Sequence, residues 1–237
     1  MRRSLLCLCV VLLAILSLTA CGDKEPIGVN KVVSEMLAGE KVSHCYVVSL
    51  GDYHSFKVQL RTPQVSEEEY LKNFNSETET IGELTDEYVR NELGYSSIEE
   101  YRKEVDKSYL EHLKVMAIFD ARSKINDYLL DIAVFHLDEN DIAEFSKRMV
   151  YKEQNYSILF GYESFEEYLS EELQLTEKQF LQRCYEEAER EIKKCLLIGT
   201  VAELEKIVVP EGEDLNITYQ ELESEVYDLF MEVDSDF

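Results

Sequence analysis

Positive charge is scarce in this chain. Its 237 residues hold 24 Lys and Arg against 49 Asp and Glu, a formal net charge of −25. Nucleic acid is therefore excluded as a natural partner, because phosphate binding depends on Lys and Arg neutralising the backbone. Adhesion to an anionic membrane surface through protein charge is disfavoured for the same reason. The acids do not form a disordered tail, since they are interleaved with aliphatic residues and fifteen tyrosines. A disulfide scaffold is also missing, although there are six cysteines. Cys7, Cys9 and Cys21 belong to the N-terminal segment. Cys184 and Cys195 share one helical pattern, about 16 Å apart along its axis, which is beyond bridging reach. Cys45 has no partner that the sequence can assign, so stability is expected to come from packing.

Patterns that carry chemistry are absent as well. The chain has no Gly-x-Ser-x-Gly, no phosphate-cradling glycine loop and no Cys-x-x-Cys. His44, His54, His112 and His136 show no metal spacing and read as surface or boundary residues. The acidic runs Glu67–Glu69 and Glu186–Glu187 fall on helical stretches and read as solvated faces, since calcium sites favour loops with a sharp turn. Neither a cofactor nor a metal is expected.

What is present begins at the N-terminus. Arg2 and Arg3 precede an apolar run from Leu5 to Leu18, which closes on Leu18-Thr19-Ala20-Cys21. The run is too short for a membrane span, which needs about twenty residues, and has the order of a secretory signal. Small residues directly before a cysteine resemble the bacterial lipobox. That resemblance implies a signal peptide over residues 1–20 and acylation (diacylglycerol, palmitate) at Cys21. Two acyl chains suffice for stable anchoring. The expected location is the extracytoplasmic face of a bacterial cell membrane, with residues 21–42 as a lipid-anchored tether. A short helix is expected within it at Val32–Leu37.

Residues 43–83 read as a small β lead-in and linker. Ser43–Leu50 and Tyr53–Leu60 are β-type runs separated by Gly51-Asp52, and alternation at Phe56, Val58 and Leu60 predicts a hairpin or strand pair. Beyond Ser66 the chain reads as helix. Capping boxes are predicted at Ser66/Glu69, Ser97/Glu100, Ser164/Glu167, Thr176/Gln179 and Thr218/Glu221, with Asp138 a further N-cap. From Ile98 to Ile132 apolar residues recur every three or four positions, and no Gly or Pro occurs between Tyr95 and Phe160. One helix of about 35 residues is predicted there, roughly 50 Å long. Others are expected at 139–158, ended by Gly161, at Phe165–Glu171, over a long stretch from Phe180 to Leu204, and after Thr218. The predicted fold is mainly α: an elongated bundle of long helices with arms, plus a small N-terminal β hairpin or strand pair.

Two passages resemble trigger factor and its related lipoproteins. One is Tyr46-Val47-Val48-Ser49-Leu50-Gly51-Asp52-Tyr53, continued by Phe56-Lys57-Val58 and Val65-Ser66-Glu67-Glu68-Glu69. The other is Leu84-Thr85-Asp86-Glu87-Tyr88-Val89, then Leu93-Gly94-Tyr95-Ser96-Ser97-Ile98-Glu99-Glu100-Tyr101. In the family these flank the isomerase domain, and the second leads into the helical C-terminal chaperone domain, expected here at 84–237. The segment between Leu71 and Leu84 is too short for the β-rich isomerase domain and its proline pocket. The ribosome-binding part and its Gly-Phe-Arg loop are expected to be absent as well, as export would require.

The resemblance implies a non-enzymatic chaperone that holds unfolded or newly exported polypeptides. The alternatives are a peptidyl-prolyl isomerase and a structural or adaptor lipoprotein with one dedicated partner. Phe145, Met149, Tyr156, Phe160, Tyr162, Phe165 and Tyr168 are the candidate client-binding residues, because Met and aromatic groups adapt to varied partners. Each could instead pack helices together; the group is expected to leave some part exposed. The acid-rich rim is expected to keep complexes soluble and to favour basic clients.

Overall fold

In a computed structural model, residues 26–79, 81, 84–210, 212 and 214–237 are described. The signal segment and Cys21 lie outside the described residues. The chain forms two compact units, one built from the chain up to Gly51 with Ile132–Leu222, the other from Asp52–Asp131 with Glu223–Phe237. Eight helices and four short strands occur among the described residues, so the class is mainly α with a small β component. No helix among them is long and apolar enough to cross a membrane.

The first unit contains α1 (Lys31–Gly39), β1 (Tyr46–Leu50), β3 (Ala133–His136), α5 (Glu139–Leu159), α6 (Phe165–Glu171) and α7 (Glu177–Glu205). Within the segment expected as a tether, α1 is docked: Asn30 caps it, and Val33 and Leu37 are buried. It ends in a Schellman turn, with Lys41 N–H donating to Ala38 O (2.9 Å) and Val42 N–H to Leu37 O (2.8 Å). Its seat is α7, where every residue from Cys195 to Ala202 is buried. Such burial on all sides marks the centre of a core. Gly199 is the contact that permits it, since a Cβ there would come within 2.6 Å of Val29 Cγ1 and 2.9 Å of Val33 Cβ.

Of the expected hairpin or strand pair, the antiparallel strand pair is formed, but not as a hairpin between neighbouring runs. β1 pairs antiparallel with β3, Tyr46 opposite His136 and Leu50 opposite Ala133, with a bulge between Val47 and Ser49. In the second unit β2 (Val58–Leu60) pairs parallel with β4 (Met231–Val233). The physical reason lies at Gly51, whose N–H extends the β1–β3 ladder by donating to Ile132 O at 3.0 Å. The backbone groups a hairpin would have used are therefore taken. β3 and β4, three or four residues long, were not anticipated.

The second unit also holds α2 (Glu67–Thr78), α3 (Asp86–Tyr88) with a wider turn at Val89–Leu93, α4 (Ile98–Ile132, which closes on the first unit's residue 132) and the end of α8 (Leu215–Asp228). α4 has the predicted 35 residues. It buries only Ala121, Ile125 and Leu129, one stripe spaced by four. Its first half is covered by α2 through edge-on ring pairs, Phe74 with Tyr101 and Tyr70 with Tyr109. Phe56 stacks on Tyr128 at 4.1 Å, and the Asn126 amide exchanges hydrogen bonds with the Tyr227 hydroxyl.

Ser66/Glu69 and Thr176/Gln179 form complete capping boxes. At Ser97 and Ser164 the hydroxyl caps as predicted, but Glu100 and Glu167 reach one residue further back, to Ser96 and Glu163. Thr218 is a correction. α8 starts earlier, capped by Asp214, and Thr218 is a buried first-turn residue whose hydroxyl donates to Asp214 O at 3.1 Å.

Asp138 caps α5 as expected, accepting from Asn140 and Asp141 N–H. Asp141, 5% exposed, accepts N–H groups from His44 (2.6 Å) and Ser43 (2.8 Å), clamping the β1 lead-in to α5. Burial pushes this carboxyl's pKa up, but the His44 and Ser43 N–H groups and the His44 ring outweigh it and hold it below its ordinary 3.8. A depressed carboxylate stabilises the fold above its unfolded pKa and loses that contribution as pH falls through the folded value. Asp141→Ala is expected to cost about 2 kcal/mol at neutral pH. In denaturant titrations the gap to the unsubstituted protein should close in strong acid. A gap that does not depend on pH would count against the clamp.

Candidate polypeptide-binding surface

The surface is built by α5, α6 and α7 within the first unit. α5 ends where Gly161 adopts a left-handed φ of 83°. Gly161 N–H donates to Ile158 O and Tyr162 N–H to Ser157 O, each at 3.1 Å, the paired bonds of a Schellman turn. Ser157 is buried under this turn, which leaves Ile158, Leu159 and Phe160 outside, 71%, 78% and 72% exposed. Tyr151, one helical face earlier, is exposed too.

After the turn, Ser164 caps α6, and Tyr168 and Leu169 are buried against Phe180 and Cys184 of α7. Met149, Tyr162 and Phe165 pack half-buried on this cluster. Its rings meet edge-on at Tyr162–Tyr168 (5.2 Å) and Phe165–Phe180 (5.3 Å). The Tyr168 hydroxyl donates to Glu153 Oε2 at 2.9 Å. Burial, then that carboxylate, raises the phenol from 10.0 to about 12, so it stays a donor at all physiological pH values.

Of the seven candidate residues, five are packed or half-packed and two are exposed. Tyr168 is core, while Met149, Tyr162 and Phe165 are its half-buried shell. Phe145 is half-buried and lines a groove between α5 and α7. Tyr156 and Phe160 are exposed, with ring centroids 6.5 Å apart. Tyr151, Ile158 and Leu159 were missed. The available signal was three apolar residues in succession before a helix-ending glycine, because one helical face cannot bury all three.

Among the described residues, His44, Asp138 and Asp141 bring one potential ligand atom each within 4.8 Å of one another. The sequence spacing of the histidines does not reveal this group. Capping and the Asp141 clamp account for its hydrogen bonds. Cys45, Cys184 and Cys195 are buried thiols outside any disulfide among the described residues. Burial pushes the Cys45 and Cys184 pKa values up, which makes both poor nucleophiles.

Residues 97–234 match the protein family described as bacterial trigger factor protein C-terminus. The chain belongs to the trigger factor C-terminus family. The matched part is the chaperone domain of trigger factor, not its isomerase domain, so a chaperone-like role goes with membership. No curated protein and no solved structure matches the chain. The trigger factor match covers α4 to β4, and so includes the exposed turn at Ile158–Phe160 and the aromatic cluster beside it.

Proposed function

We propose that the protein is a membrane-anchored chaperone that holds unfolded or newly exported polypeptides on the outer face of a bacterial membrane, without catalysis. The observation that carries this reading is the exposed apolar end of α5. Three consecutive large apolar side chains, each more than two-thirds exposed, sit on a turn that is itself fixed by a glycine and a buried serine. Contiguous exposed apolar groups, unlike scattered single residues, commonly mark interaction surfaces. Membership in the trigger factor family supplies the class of partner. The lipobox-like Leu18-Thr19-Ala20-Cys21 supports the location, and the scarcity of positive charge leaves the lipid as the means of attachment.

The non-catalytic part of the reading is supported by the stretch where trigger factor relatives carry the isomerase domain. Between Leu60 and Asp86 the described residues form a single helix, α2, and no strand. The protein is expected to suppress aggregation of a chemically unfolded substrate at near-stoichiometric ratio and to leave proline isomerisation at its uncatalysed rate. No suppression at several-fold excess would sink the chaperone reading, and clear isomerase turnover would sink the non-catalytic one. Cys21→Ala is expected to move the protein from the membrane to the soluble fraction with its helical content unchanged. Retention of that variant at the membrane would refute the lipid anchor.

A further inference from the structure

The groove between α5 and α7 has a charge balance opposite to that of the chain. It is an open trough of about 770 Å3, walled by residues at three- and four-residue spacing on both helices. Phe145, Met149, Leu173 and Phe180 give it an apolar floor. The whole chain has twice as many acids as bases, yet the charged groups lining this trough are four cations, Arg148, Lys152, Arg183 and Arg190, and three glutamates. Each glutamate is already occupied. Glu40 pairs with Arg148, Glu187 with Arg190 at 3.3 Å, and Glu153 accepts the Tyr168 hydroxyl. Lys152 and Arg183 are left without a carboxylate partner among the described residues. Lys152 Nζ stands over the Tyr156 ring, 5.8 Å from its centroid, a contact with a neutral ring that leaves its charge uncompensated by a carboxylate.

From this arrangement we infer that the groove selects polypeptide segments in which aromatic or aliphatic side chains are flanked by carboxylates. This rests on the polypeptide-holding function proposed above and names its substrate class. Apolar side chains of the segment would occupy the floor. Asp or Glu beside them would meet the Lys152 ammonium and the Arg183 guanidinium, whose planar fork donates two parallel hydrogen bonds to a carboxylate. The net negative charge of the chain does not cancel this preference. At physiological ionic strength charges are screened within about 8 Å, so the groups at the rim outweigh the distant acids. The expectation that clients are basic, drawn from overall charge, is thereby reversed for this site.

The test uses three fluorescent peptides of equal length, in which Leu and Phe alternate with Glu, Gln or Lys, titrated with the full-length protein and read by anisotropy. The Glu peptide is expected to bind about fivefold more tightly than the Gln peptide, as two partly exposed ion pairs allow. The Lys peptide should bind most weakly, and high salt should remove the differences. The double charge swap Lys152→Glu with Arg183→Glu should invert the order, so that the Lys peptide binds best. Both side chains are exposed, and unchanged helical content would confirm that the swap leaves the fold intact. Binding in which the Lys peptide equals or exceeds the Glu peptide overturns the selectivity alone. An order that survives the swap overturns the assignment to this groove. Absence of binding by all three peptides defeats the polypeptide-holding function itself, and the selectivity with it.

Discussion

Replacing Ile158, Leu159 and Phe160 together by serine is expected to lower aggregation suppression at least tenfold while the unfolding transition stays in place. The first half follows from area. Burying a large apolar side chain contributes about 1.5–3 kcal/mol when complete, and even partial burial of three against a client amounts to more than the roughly 1.4 kcal/mol of one tenfold step. The second half follows from exposure. Side chains already more than two-thirds exposed give little to the core, and surface substitutions of this kind usually stay within about 0.5 kcal/mol each. The turn should survive because its bonds come from the Gly161 and Tyr162 N–H groups, not from the substituted side chains. A thermal melt and a light-scattering assay on the same preparation check both halves. Unimpaired suppression would move client binding away from this turn.

Gly199→Leu is expected to have the largest effect on stability, about 3 kcal/mol. Two opposing effects set the sign. A leucine at a helix-interior glycine gains about 0.8 kcal/mol in helix propensity. Against this, the first carbon alone would lie 2.6 Å from Val29 Cγ1 and 2.9 Å from Val33 Cβ. Val33 Cβ is fixed to its backbone and fully buried, so it cannot rotate away, and α1 must shift or leave. Its undocking would also strain the bond from Asn30 N–H to Gly199 O, now 2.9 Å. Urea titration should show a lower midpoint, and amide exchange should show early loss of protection over Lys31–Gly39. A variant as stable as the native protein would mean that the α1–α7 contact is looser than its geometry implies.

Much of the local structure was legible because it depends on neighbours in the chain. A hydroxyl three residues before a carboxylate or amide finds its partner on the next turn, so Ser66 and Thr176 cap as predicted. Gly161 terminates α5 because a residue without Cβ accepts φ of 83° readily. Thr218 misled because Asp214, four residues upstream, offers a stronger acceptor to the same helix start.

The candidate site was legible only in part. The aromatic residues around Tyr168 carry the same sequence pattern whether they face a partner or their own helices. The structure placed Tyr168 inside and Phe160 outside. The cations of the groove, taken from α5 and α7, are far apart in the chain and unremarkable in a sequence dominated by acids. Pairing of the β segments was likewise hidden. Alternation shows that a strand has two faces, but not which other strand satisfies its N–H and C=O groups.

By itself, the sequence determined the helical class, the lengths of α4 through α7, their caps, the family and the lipobox-like start. These follow from periodicity and from hydrogen bonds closed within a turn or two. Only the tertiary structure decided that β1 joins β3 and β2 joins β4, that Gly199 seats α1, and which apolar and charged side chains remain available to a partner. Those outcomes depend on which distant groups compete for the same backbone donors and the same buried volume, a competition settled only when the chain packs.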